Sequence, residues 1–174
     1  MSIDNNLYEK SIKILTDLIA FKTISGQDNS NLIDYCENIL NNIGIDTFKV
    51  YDDDKKRVNL FGTLKAKNQS RKKPIILSGH TDVVPVSKGW SSDPFVATIK
   101  NDKLYGRGSC DMKGFIACTL AYAPIFKESN LDRDLHFCYT FDEETACIGA
   151  PLFCLLYTSP SPRDVRSSRM PSSA

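Results

Sequence analysis

The chain has 174 residues, 41% of them hydrophobic, and 22 basic against 21 acidic side chains give it a net charge of +1. That length supports one domain with its own core and leaves no room for two large ones. The balanced charge, with no Lys/Arg stripe above the background, argues against nucleic acid and anionic membrane surfaces as partners.

Residues 1–10 are polar and lack the apolar core of a secretion signal, and no window reaches membrane-spanning length. The pattern of Leu7, Ile12, Ile14, Leu15, Leu18 and Ile19 predicts an amphipathic helix over 7–20, broken by Phe21-Lys22-Thr23-Ile24-Ser25-Gly26. A second helix is predicted over 31–42, with Leu32, Ile33, Cys36, Ile39 and Leu40 on its apolar face and Gly44 as its C-terminal glycine. Strands at 47–51 and 58–64 flank the turn Asp52-Asp53-Asp54-Lys55-Lys56, whose aspartates read as solvated turn residues and not as cation ligands. Residues 74–78 form a short apolar run, the mark of a central strand buried on both faces. A hairpin is predicted around Asn101-Asp102, joining 95–99 to 103–105. A helix over 112–126 and a buried strand over 135–141 follow. Helices alternating with apolar strands predict an α/β fold, a three-layer sandwich around a mostly parallel sheet. In such sheets sites lie beyond the carboxyl ends of the strands.

Six cysteines, Cys36, Cys110, Cys118, Cys138, Cys147 and Cys154, are scattered without a C-x-x-C pair, and several lie in apolar segments where a thiol packs as a small hydrophobe. A reducing, cytoplasmic compartment is the simplest expectation. From 154 to 174 the sequence becomes Ser/Pro/Arg-rich and loses periodicity, so it reads as a linker, a disordered tail or translated sequence foreign to the gene.

The chemistry concentrates in three runs: Ser78-Gly79-His80-Thr81-Asp82, Gly106-Arg107-Gly108-Ser109-Cys110-Asp111-Met112-Lys113-Gly114, and Asp142-Glu143-Glu144. Each falls at the end of a predicted strand or just before a helix. One imidazole and several carboxylates suit a divalent metal, zinc above all, and the pair Glu143-Glu144 can supply one ligand and one base.

Taken together, the three runs resemble the co-catalytic zinc deacylase and exopeptidase superfamily, over roughly 7–152 of the chain. The resemblance implies that His80, Asp111 and Glu144 are metal ligands, with Asp111 bridging two zinc ions and its peptide to Met112 cis. It further implies that Glu143 is the general base and that Asp82 orients the His80 imidazole. Cobalt or manganese would accept the same donors. The implied substrate is a small N-acyl amino acid whose amide is hydrolysed. Gly108-Ser109-Cys110-Asp111-Met112-Lys113-Gly114-Phe115 looks most like the acetylornithine deacetylase branch (arginine biosynthesis), with the succinyl-diaminopimelate desuccinylases and other aminoacylases as alternatives.

Members of that superfamily are much longer and homodimeric. Residues 1–153 therefore correspond to the N-terminal part of a catalytic domain, without the dimerisation or lid domain. The missing portion normally supplies another carboxylate and a histidine, so the expectation for this chain alone is weak or partial zinc occupancy and little turnover, or none. His136, on an apolar strand, reads as a packed or hydrogen-bonded residue and not as the missing ligand. Gly106 and Gly108 fit a tight turn, Lys113 a solvated or capping role in preference to a contact with the site, and Cys110 has no local histidine that would make it a nucleophile. Trp90 and Phe95 could line a pocket or pack a loop.

Overall fold

A computed structural model describes residues 5–68 and 72–153. Three helices, α1 (Asn5–Ala20), α2 (Ser30–Asn42) and α3 (Lys113–Glu128), accompany a four-stranded sheet. Its strands are β1 (Asp46–Tyr51), β2 (Val58–Leu64), β3 (Ile75–His80) and β6 (Leu135–Thr140). A separate hairpin joins β4 (Thr98–Lys100) to β5 (Lys103–Tyr105). The predicted elements are all present, and α1, α2, β1 and β2 fall within two residues of their expected ends. The first hairpin strand is displaced, because Phe95 is held in a turn by its N–H to the Asp93 carboxylate (2.8 Å). Asn101 and Asp102 adopt positive φ (52° and 57°), as the two central residues of a tight hairpin turn require.

The core follows from strand alternation. Val58, Leu60 and Leu64 of β2, with Leu135, Phe137 and Tyr139 of β6, face Leu18, Leu32, Ile33, Cys36, Leu40, Ile116 and Leu120 of the helices. The intervening Phe61 and Cys138 pack instead on Phe153 across the other face. Because both faces of β2 and β6 are covered, these strands read as near-continuous apolar runs. Helix α2 ends where Gly44 takes φ +67° and donates its N–H to the Asn41 carbonyl (2.8 Å), as its glycine predicts.

Two expectations change in detail. The sheet order is β1-β2-β6-β3, and only β3–β6 is parallel, so the sheet is mixed instead of mostly parallel. The short turn between β1 and β2 can return the chain only antiparallel, whereas α3 provides the long crossover that parallel pairing needs. Strand β3, expected at the centre, has β6 as its one neighbour among the described residues, and Ile75 and Ile76 are about half exposed. An apolar run does not reveal sheet position, which is set by the crossover inserting β6 beside β2. Helices α1–α3 share one face, and among the described residues the opposite face carries only the helical turn at 150–153. No helix among them is long and apolar enough to cross a membrane. The segment 154–174 lies outside the described residues.

Candidate metal centre

Since β3 and β6 run parallel with His80 opposite Thr140, both chains leave the sheet at the same edge. The loop after β3 carries Asp82, and the loop after β6 carries Glu143 and Glu144. The third run enters from the turn before α3, where the Asp111–Met112 peptide is cis, as expected.

His80 is buried with its ring held from both sides. Nδ1 lies 3.0 Å from the Asp82 carbonyl oxygen and 3.4 Å from Asp82 Oδ1, so this nitrogen carries a proton and donates it. Nε2 faces outward, 3.0 Å from Asp111 Oδ1 and 3.6 Å from Glu143 Oε2. His80, Glu143 and Glu144 each place a donor atom within 4.8 Å of the others. The structure thus brings His80, Glu143 and Glu144 together, with Asp111 reaching the group through the His80 imidazole.

Asp82 does more than orient an imidazole. Its Oδ1 accepts the Glu143 backbone N–H (3.0 Å), and its Oδ2 accepts the Glu144 N–H (3.2 Å) and the Ser25 hydroxyl (2.7 Å). Burial alone would raise its pKa, but the hydrogen bonds from His80, Ser25 and the two amides hold it below the ordinary carboxylate range. For His80, burial disfavours the charged ring, yet the bonds to Asp82 and Asp111 outweigh it and lift the pKa to about 9. Glu144 is raised by its burial and then by the charge of Asp111. Four carboxylates around one imidazole repel one another, and a divalent cation bound by nitrogen and oxygen relieves that repulsion. The donor set fits zinc, and equally cobalt or manganese.

Three contributors, Ser25, Asp142 and Arg57, were assigned no role by the sequence reading. Ser25 belongs to the segment 21–26, which clasps every loop of the site. Lys113 Nζ donates to the Phe21 carbonyl (2.7 Å), Thr23 Oγ1 to the Thr81 carbonyl (2.6 Å), and the Gly26 N–H to Asp142 Oδ1 (2.7 Å). Asp142, buried at φ +52°, also accepts Arg57 Nη1 (2.5 Å), and Arg57 in turn bonds Asp52. Asp142 stood beside the glutamate pair and could have been found from that. Ser25 and Arg57 carry no local signal, since each acts across the fold.

The remaining candidates fall into structural places. Lys113 is completely buried and caps the end of α1 through the Leu18 and Phe21 carbonyls, so the capping role holds and the solvated one does not; burial lowers its pKa to about 8. His136 Nδ1 pairs with Thr63 Oγ1 (3.1 Å) and its ring lies 4.9 Å from Phe61, a packed residue as expected. Asp52 accepts the Lys56 and Arg57 N–H groups and closes its turn, while Asp53 and Asp54 are exposed. Gly108 has φ +81°, and a Cβ there would meet Val83 at 2.6 Å, so packing as well as the turn demands glycine. Cys110 is exposed and free. Arg107 lies over the Trp90 ring and Lys22 over Phe95.

Comparison with known proteins identifies the family. Residues 76–162 match peptidase family M20/M25/M40. Acetylornithine deacetylase from Proteus mirabilis is 35% identical over 150 residues, covering 82% of this chain and 38% of that protein. The Erwinia tasmaniensis acetylornithine deacetylase is 38% identical over 149 residues, with the same coverage. Succinyl-diaminopimelate desuccinylase from Rickettsia akari is 38% identical over 142 residues, covering 76% of this chain and 36% of that one. In fold, human carnosine dipeptidase 1 superposes with a TM-score of 0.73 at 21% identity, over 90% of this chain and 36% of that one. The chain belongs to the M20/M25/M40 peptidase family. It spans less than two-fifths of the length of these curated relatives.

Proposed function

We propose that the chain is the N-terminal, metal-holding part of an amide hydrolase that removes the acyl group from an N-acyl amino acid, with N2-acetylornithine, giving ornithine and acetate, as the leading substrate. The observation that carries this reading is the convergence of His80, Glu143 and Glu144 at the carboxyl ends of two adjacent parallel strands. The deacetylase relatives support the substrate. The desuccinylase of equal identity favours an N-succinyl substrate as the second reading.

His80 Nε2, Asp111 and Glu144 would hold two zinc ions. When bound, such ions supply Lewis acidity that activates water and polarises an amide carbonyl. Asp82 keeps the His80 proton on Nδ1 and so leaves the Nε2 lone pair for coordination. Glu143, half-exposed and within 3.6 Å of that nitrogen, takes the proton of the attacking water and returns it to the leaving amine. Calorimetric zinc titration of the chain tests the site: His80→Ala, Asp111→Ala and Glu144→Ala each weaken binding, and Glu143→Ala does not. Binding indifferent to all three ligand changes would overturn the reading. Hydrolysis of N-acetylornithine against N-succinyl-diaminopimelate by a longer protein carrying this chain decides between the substrates.

A further inference from the structure

The proposed ligands and base do not hold themselves in place. Asp82 is nearly inaccessible to water and its carboxylate has partners at both oxygens. Oδ1 serves the His80 ring and the Glu143 amide, and Oδ2 serves the Glu144 amide at 3.2 Å and the Ser25 hydroxyl at 2.7 Å. The Ser25 bond is the shortest of these contacts and the only one made from outside the β3 and β6 loops. Ser25 is itself fixed, because its N–H donates to the Val83 carbonyl (3.1 Å) while Val83 N–H donates to the Thr23 carbonyl (2.9 Å). The bridge between Ile24 and Val83 thereby places the hydroxyl 2.7 Å from Oδ2, with the Val83 carbonyl as its longer alternative acceptor at 3.3 Å.

We propose that Ser25 is a positioning residue of the metal centre, acting through Asp82 to fix the His80 imidazole and the Glu143–Glu144 backbone; this rests on the metal reading above. Without the hydroxyl, Oδ2 keeps only the longer amide bond. The carboxylate is then free to turn about its Cβ–Cγ bond, which carries Oδ1 away from His80 Nδ1 and from the Glu143 N–H. Loss of a residue that orients a metal-binding imidazole typically costs 10–100-fold in metal affinity.

Cobalt titration of the purified chain, followed by visible absorption, tests this because the bands report coordination geometry and a purely structural serine would not move them. Ser25→Ala is expected to weaken cobalt binding about tenfold and shift the bands, and Ser25→Thr, which retains the hydroxyl, to restore both. Ser25→Cys is nearly isosteric but a weak donor, so it is expected to fall between them, and it serves if the alanine variant does not fold. Wild-type affinity and bands in Ser25→Cys and in any folded Ser25→Ala, with binding abolished in His80→Ala, would overturn the role of Ser25 alone. Unchanged binding in His80→Ala would remove the metal reading and this proposal with it.

Discussion

Glu143 and Glu144 are adjacent, yet their surroundings differ in a way that suits the separate roles proposed for them. Both amides are tied to Asp82, which turns one carboxylate toward the open side of His80 and leaves the other partly buried beside Asp111. In a catalytically complete protein carrying this chain, Glu143→Ala should lower kcat by ~10²–10⁴ with metal content unchanged, measured by turnover and metal analysis of one preparation. Retained turnover would take the base role from Glu143. A second residue gives a pH signature. Cys36 is fully buried, and burial pushes its thiol well above the ordinary range. The folded pKa is therefore the higher one. Above the unfolded thiol pKa of ~8.5, the unfolded chain releases a proton that the folded chain keeps, so stability falls by up to ~1.4 kcal/mol per pH unit. Cys36→Ala lacks this loss, so its stability deficit against wild type, read from urea unfolding, should narrow between pH 8.5 and 10.5; a constant deficit refutes it.

Elements were more legible than their arrangement. Helical spacing located α1 and α2, and Asn101-Asp102 marked the hairpin, because such signals are local. The place of β3 in the sheet was not legible, since β6, far along the chain, decides it. The same holds within the site. His80, Asp111, Glu143 and Glu144 stood out through residue type and spacing, but Arg57 reaches Asp142 from the residue before β2 and no short window contains both. That ion pair anchors the loop after β6, where Asp142 sits at positive φ. Arg57→Met leaves a buried carboxylate with only the Gly26 amide and should cost about 1–3 kcal/mol in urea unfolding, with weaker zinc binding in the same variant. A loss of stability without any change in zinc affinity would confine Arg57 to the fold.

At the scale of the whole molecule, the helices α1–α3 cover one face, while among the described residues β3 offers a sheet edge bearing half-exposed Ile75 and Ile76. Phe115, Tyr122 and Ile125 of α3 are also exposed. An apolar sheet edge is a template for pairing with another chain. The isolated chain should therefore self-associate with rising concentration, and Ile76→Lys should reduce this in sedimentation velocity; equal association in both would exclude the β3 edge. The distribution of the site along the chain has a different outcome. Ser25, His80, Asp111 and Glu144 belong to four stretches, and Glu144 reaches the other three only from the loop after β6. On the proposed metal reading, a polypeptide still growing on the ribosome lacks Glu143 and Glu144 until β6 has emerged, so the full donor set would be complete only after the glutamate pair is made.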